Sequence, residues 1–236
     1  MATYYMFYKD WEPIYKQIAE DFKFKLENEK KSVYFLDILL DKKKLFSLKN
    51  LSEIINGKEV IIFGAGSNLI DSIGLHKNKI QNCVKISADG STSALLKNNI
   101  VPEIIVTDFD GYIPDQIKAN SEGSIIVIHA HGDNISKIRK YLPELKKGII
   151  GTTQIDPSPY KNINNFGGFT DGDRAVFLAT HFNAKKINLI GFDFEGGIGK
   201  YSYIKNKDIN LKLKKLKWCK YLIEFLKQNK QNIYYL

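Results

Sequence analysis

Val60-Ile61-Ile62-Phe63-Gly64-Ala65-Gly66-Ser67-Asn68 is the stretch that decides the fold. Four consecutive apolar residues, three of them β-branched, predict a short strand buried on both faces. The two glycines that follow predict a tight turn into a helix. The same pattern recurs downstream. Cys83-Val84-Lys85-Ile86, Glu103-Ile104-Ile105-Val106, Ser124-Ile125-Ile126-Val127-Ile128, Gly148-Ile149-Ile150 and Lys186-Ile187-Asn188-Leu189-Ile190 read as five further strands. Connecting segments carry helical spacing, as from Thr170 to His181. Short buried strands alternating with helices predict an α/β, Rossmann-like domain: a mostly parallel six-stranded sheet with helices on both faces.

Upstream of that domain, Trp11, Ile14, Tyr15, Ile18, Phe22 and Leu26 recur at steps of three and four, the spacing of one helix face. Apolar clusters over Val33–Leu40 and Leu45–Ile55 continue in helical style until Gly57 closes the region. Residues 1–56 are therefore expected to form a helical N-terminal region, and 57–236 the Rossmann-like catalytic domain. The aromatic stripe reads as core packing. At the other end, Asp208–Gln228 predicts a long amphipathic helix, with Leu211, Leu216, Trp218, Leu222 and Phe225 for its buried side and lysines on a solvated face. No internal repeat or low-complexity linker is visible.

Composition sets outer bounds. With 236 residues, 44% of them hydrophobic and 26% charged, the chain can bury a large core, which excludes wholesale disorder. No apolar run approaches the roughly 18 to 20 residues that span a bilayer, and the start lacks a basic segment followed by an apolar one. A soluble, cytoplasmic protein without a membrane partner is expected. Cys83 and Cys219 offer neither zinc spacing nor a disulfide framework. The net charge of +9 is almost wholly lysine, since arginine occurs only at Arg139 and Arg174. Lysine, asparagine and isoleucine are abundant together, as AT-rich coding would produce, so the excess favours solubility first and an anionic ligand second. No specific nucleic-acid partner is expected, and homo-oligomerisation is left open.

Each strand runs out into small, polar or acidic residues: Gly64 to Asn68, Ala88-Asp89-Gly90, Thr107-Asp108-Phe109-Asp110-Gly111, His129-Ala130-His131-Gly132-Asp133-Asn134, Gly151-Thr152-Thr153 and Gly191-Phe192-Asp193. In an open parallel sheet these carboxyl ends share one edge, which predicts an acid-lined cleft there. Gly64-Ala65-Gly66 is half of a dinucleotide fingerprint, with Leu69 in place of the third glycine. A nicotinamide cofactor with Asp89 on its ribose, and a plain tight turn, both stay open at this point. Asp108 and Asp110 are alternate residues, so in extended chain both carboxylates face one point, an arrangement that a hard divalent cation relieves of repulsion. Thr170 followed by Asp171-Gly172-Asp173-Arg174 reads as a metal–phosphate site. Helix capping by Thr170 or Asp171 would leave Gly172, the second acid and the arginine unexplained. His129, His131 and Asp133 suit either a transition metal or a polar pocket wall. His76 and His181 have no supporting neighbours, and Ser67 lacks a nucleophile-elbow context.

At these residues the chain resembles the archaeal 6-hydroxymethyl-7,8-dihydropterin pyrophosphokinase family. The likeness runs through Gly64-Ala65-Gly66-Ser67-Asn68-Leu69, Ala88-Asp89-Gly90, Pro102 to Gly111, His129 to Asn134, Gly168 to Ala175 and Gly191-Phe192-Asp193-Phe194, and reaches the start around Trp11-Glu12-Pro13-Ile14-Tyr15. Ser67-Asn68 stands where proline and serine would be expected. A more distant similarity to thiamine pyrophosphokinase lies in the Asp89, Asp108-Phe109-Asp110 and Thr170-Asp171 segments. The resemblance implies transfer of diphosphate from ATP to a pterin hydroxymethyl group with Mg²⁺, releasing AMP, in pterin biosynthesis of the tetrahydromethanopterin or folate type. It implies Asp89, Asp108, Asp110, Asp171 and Asp173 as magnesium ligands, with Asp108, Asp110, Asp173 and Arg174 catalytic. It further implies Gly64, Gly66, Ser67 and Asn68 on the ATP phosphates, and His129, His131, Asp133, Asn134, Thr170 and Asp193 around the acceptor. A thiamine-type enzyme, a glycosyltransferase with a nucleotide-sugar donor, and a noncatalytic binding module are the rival readings.

Overall fold

The computed structural model describes residues 8–196, 198–202, 208–229 and 232–236, so residues 1–7 of the expected N-terminal region lie outside the described residues. Three helices come first: α1 (Tyr8–Phe22), α2 (Leu26–Leu40) and α3 (Leu48–Ile55). The sheet then begins with β1 (Glu59–Phe63), α4 (Leu69–Leu75), α5 (Lys77–Gln81), β2 (Val84–Ala88), α6 (Ser91–Lys97) and β3 (Ile104–Thr107). It continues through α7 (Ile113–Glu122), β4 (Ile125–Ala130), α8 (Ile135–Tyr141), β5 (Ile149–Thr153) and β6 (Ile163–Asn164). It closes with α9 (Asp171–His181), β7 (Lys186–Ile190), α10 (Ile209–Asn229) and β8 (Ile233–Tyr235).

The strands order as β6-β5-β4-β3-β2-β1-β7-β8, eight rather than the expected six, and every pairing is parallel. The two extra strands, β6 and β8, are short edge segments of two and three residues. The order grows outward from β1 to β6, then reverses across β1 to β7. That reversal between β1 and β7 is the topological switch point, where an open sheet leaves a crevice. The expected α/β class and helical start are both present.

Side-chain alternation explains why helices cover both faces. From β1, Val60 and Ile62 enter a large cluster with Trp11, Ile18, Leu36 and Phe177. Ile61 and Phe63 enter a smaller one with Leu69, Ile73, Ala94 and Leu95. Trp11 of α1 is fully buried, stands edge-on to Phe177 at 5.7 Å, and donates its indole N–H to the Gln154 carbonyl at 2.9 Å. Losing so large a buried ring costs about 3–5 kcal/mol in comparable cores, so the N-terminal helices belong to the core of the sheet.

Three sequence expectations shift in detail. The chain leaves α1 at Lys23, whose φ is 55°, so Leu26 opens α2 and is 52% exposed instead of extending the α1 stripe. Leu45 is not helical; it makes a parallel bridge to Ile149 at the sheet edge. Leu211 is exposed; α10 buries Leu222 as expected, together with Cys219, Ile223 and Leu226, where it packs on α9, and leaves Leu216, Trp218 and Phe225 half-buried. Among the described residues no helix is long and apolar enough to cross a membrane.

Candidate active site

The carboxyl ends of β1, β2, β3 and β7, the start of α9 and one face of α10 line a cleft that is open to solvent. At the switch point the β1 and β7 turns nearly touch. Gly64 donates its N–H to the Ile190 carbonyl and Gly66 to the Gly191 carbonyl, both at 2.8 Å. A Cβ on either Gly64 or Gly66 would lie 2.6 Å from the Gly191 oxygen, so glycine here serves close backbone approach. Those two N–H groups are committed to the end of β7 and the turn that follows it, which removes them from the phosphate role expected of Gly64 and Gly66. Ser67 donates its hydroxyl to Asp193, and the Glu195 and Gly196 N–H groups donate to the same carboxylate. These contacts, the Ser67 hydrogen bond foremost, hold Asp193 below the usual carboxylate range. Asn68 precedes α4 without capping it.

Three carboxylates converge beside this turn. Asp89, Asp108 and Asp171 each present an oxygen within 4.8 Å of the others. Backbone strain brackets the group: Asp89 has φ 44° and Phe109 φ 65°, both uncommon for residues with side chains. Asp89 accepts hydrogen bonds from the Thr107 hydroxyl at 2.8 Å and the Gln116 amide at 2.9 Å. Burial, then the Asp108 charge, push its pKa up to about 6. Burial and Asp108 likewise push Asp171 well above its ordinary value, against the pull of Arg174. Burial would also raise Asp108, but the His131 hydrogen bond and charge, followed by Arg174 and Lys215, hold it below the usual range.

The structure separates Asp110 and Asp173 from that group. The expectation that Asp108 and Asp110 point alike assumed extended backbone; β3 ends at Thr107, and the positive φ of Phe109 breaks the alternation. Asp110 lines the cleft but pairs with Lys137 of α8. Asp173 is fully buried and accepts from the Phe169 N–H, the Thr170 N–H and the Thr170 hydroxyl, so it caps α9. Both Asp173 oxygens are occupied, and Thr170 is its partner in that cap. The capping explanation therefore holds for Thr170 and Asp173, while Asp171 joins the cluster.

The β4 residues also divide. His131 sits between Asp108, 3.1 Å from Nε2, and Asp133, 2.6 Å from Nδ1. Burial opposes its charge, yet these two carboxylates raise its pKa to about 9, so both ring nitrogens carry protons at neutral pH. Those hydrogen bonds leave no imidazole lone pair for a transition metal. His129 is 2% exposed, lies off the main cleft, and pairs through Nδ1 with the Thr152 hydroxyl. Burial, with the charges of Arg174 and His131, holds it well below its ordinary pKa. Asn134 is buried too. Its amide donates to the Asp108 and His129 carbonyls, and its oxygen accepts from the His131 N–H and the Ser32 hydroxyl. With every donor and acceptor used, Asn134 braces the loop and has nothing left for an acceptor molecule.

Arg174 reaches the cleft from α9. Its Nη1 donates to Asp171 at 3.0 Å and its Nη2 to Gln154 at 3.4 Å. Gln154 in turn donates to the buried Glu29 of α2, whose other oxygen accepts from the Gly132 N–H. Glu29 gave no signal in the sequence, because one acid inside a helix stretch of mixed charge looks solvated. Gln154 directly follows the polar Thr152-Thr153 strand end, a signal within reach. Phe24, Lys212 and Lys215 also line the cleft, from elements read as core stripe and solvated face.

Fold and site together define a Rossmann-like α/β protein with a carboxylate-lined crevice at its switch point. A model of the family described as 6-hydroxymethylpterin diphosphokinase MptE-like matches residues 37–197, and the chain belongs to this family. It is 46% identical over 232 residues to the 6-hydroxymethyl-7,8-dihydropterin pyrophosphokinase of Methanocaldococcus jannaschii, covering 93% of this chain and 95% of that protein. It is 41% identical over 229 residues to the protein of the same name from Pyrococcus furiosus, covering 95% and 96%. Among solved structures it is similar to the MAf glycosyltransferase of Magnetospirillum magneticum AMB-1, with a TM-score of 0.41, 19% identity, and coverage of 64% of this chain and 28% of that one. Phe24 and α10 lie outside the stretch matched by the family model.

Proposed function

We propose that the chain transfers diphosphate from ATP to 6-hydroxymethyl-7,8-dihydropterin, giving AMP and the pterin diphosphate, as a step in pterin cofactor biosynthesis of the tetrahydromethanopterin or folate type. The carrying observation is the carboxylate trio of Asp89, Asp108 and Asp171 at the switch point of a chain in this family. Crowding three such groups together, with Asp108 buried and Asp89 and Asp171 half-buried, is costly unless a cation joins them. Their oxygens are the hard donors that Mg²⁺ prefers, and the raised pKa values of Asp89 and Asp171, due first to burial and then to the Asp108 charge, register a cost of ionisation that a cation would offset. When bound there, Mg²⁺ would neutralise phosphate charge and align the reacting oxygens.

The remaining work falls to the protein. The substrate alcohol attacks the β-phosphorus in line and gives up its proton to solvent, the bond from the β-phosphorus to the α,β-bridging oxygen breaks and AMP leaves with that oxygen, so positioning and charge stabilisation are what the site must supply. Arg174 offers a rigid guanidinium at the cleft, held in orientation by Asp171 and Gln154. His131, charged and fixed between Asp108 and Asp133, keeps Asp108 ionised as a ligand. Phe24, Phe169 and Phe192 give the cleft apolar walls that restrict water. A cytoplasmic location is consistent with this substrate pair.

The assay is incubation with ATP and Mg²⁺ and, separately, the pterin alcohol, thiamine or sugar acceptors. AMP release with the pterin alone is expected. ADP release would mark a simple kinase, and transfer only from a nucleotide sugar would remove the reading. Arg174→Lys tests the guanidinium: lysine can replace the charge but not two divergent hydrogen bonds. Turnover is expected to fall roughly tenfold, about 1.4 kcal/mol, beyond what a modest drop in melting temperature from the lost Gln154 contact accounts for. Full turnover with a lowered melting temperature would leave Arg174 as a brace for Asp171.

A further inference from the structure

The cations of the cleft are mostly tied down. Arg174 is paired with Asp171, His131 with Asp108 and Asp133, and Lys137 with Asp110. Each of these pairs lowers the net positive charge that a triphosphate would meet. Lys215 differs. It stands on the α10 face that carries Lys212, Leu216 and Cys219 into the cleft, spaced three and four residues apart. Its ammonium lies 5.9 Å from the centre of the Phe169 ring, and it makes no ion pair among the described residues. The residue is half-buried and lines the cleft with its ammonium over that aromatic wall.

We propose that Lys215 is a nucleotide-phosphate contact, supplied to the switch-point cleft by α10 and directed at the triphosphate of the ATP donor. The proposal rests on the diphosphate-transfer reading and adds to it a residue from outside the strand-end motifs. The physical need is clear. An ATP–Mg²⁺ complex keeps a net negative charge, and a cleft holding Asp89, Asp108, Asp110, Asp171 and Asp193 repels it unless a cation remains available. A lysine on a four-carbon stem meets that need as a movable point charge, whereas the guanidinium of Arg174 is fixed.

The test is calorimetric titration of MgATP into the full chain without acceptor, for wild type, Lys215→Met, Lys215→Arg and Lys217→Met. Methionine keeps the stem on Phe169 and removes the charge, and Lys217 is an exposed lysine away from the cleft. Lys215→Met is expected to weaken MgATP binding about tenfold or more, equivalent to about 1.4 kcal/mol. Lys215→Arg should recover most of the loss, and Lys217→Met should match wild type. In turnover, Lys215→Met should raise KM for ATP and leave KM for the pterin unchanged. Wild-type MgATP affinity in Lys215→Met would overturn the proposal, as would a rise confined to the pterin KM. Absence of AMP release by the wild type would instead remove the diphosphate-transfer reading, while the isotherms still decide whether Lys215 holds nucleotide phosphate.

Discussion

Asp108→Asn is expected to lower turnover about 1000-fold or more, a loss near 4 kcal/mol of transition-state stabilisation, while the protein stays folded. Asp108 is the central acid of the site. One oxygen accepts from the Asp110 N–H, the other from His131, and its carboxylate lies within the group shared with Asp89 and Asp171. The amide keeps the shape and one oxygen but removes the charge that a divalent cation requires. Asp110→Asn should fall much less, because its carboxylate is engaged with Lys137 and stands outside the trio. Turnover measured against Mg²⁺ concentration separates the two: a steep rise in the Mg²⁺ requirement for Asp108→Asn, a modest one for Asp110→Asn. Equal losses in both variants would return Asp110 to the metal site. Near-normal turnover of Asp108→Asn at limiting Mg²⁺ would dismantle the assignment.

The contrast between these two aspartates shows what the chain discloses before folding. Runs such as Val60 to Phe63 and Ser124 to Ile128 announce their strands because both faces are buried and the pattern is continuous. Ile163-Asn164 and Ile233 to Tyr235 do not, since two or three residues carry no period and their pairing comes entirely from neighbouring strands. The shared edge of acids and glycines follows from the parallel order, so Asp89, Asp108 and Asp171 were all legible as cleft residues. Which acids converge was not legible, because that depends on single backbone angles such as φ at Phe109 and on whether α9 caps itself with Asp173. His129 and Asn134 illustrate the same limit. A polar residue at a strand end can face the cleft or satisfy its own loop, and only the packed neighbours decide. Lys215 is the opposite case: α10 looks amphipathic with a wet lysine face, and its packing on α9 turns part of that face toward the cleft.

Gly191→Ala tests the switch point itself. Gly191 has φ +74°, and a Cβ there would lie 2.4 Å from the Gly64 oxygen and 3.1 Å from Leu69 Cδ1. Gly57 offers a matched control, with φ +70° and nothing within 4 Å of its Cβ position. Both alanines incur the left-handed backbone cost of roughly 1–2 kcal/mol. Only Gly191→Ala adds an overlap with backbone, comparable to overpacking at roughly 1–3 kcal/mol. Gly191→Ala should therefore lose about 3 kcal/mol or more in urea unfolding, and melt about 6–12 °C lower at roughly 2–4 °C per kcal/mol. Gly57→Ala should lose only roughly 1–2 kcal/mol and keep full turnover. The overlap pushes the β7 turn away from the β1 turn, so Gly191→Ala should also lose nucleotide affinity at temperatures where it remains folded. If the two alanines proved equally mild, the close approach of Gly64 and Gly191 would not be what shapes the crevice, and its form would have to come from the acid loops and α10 alone.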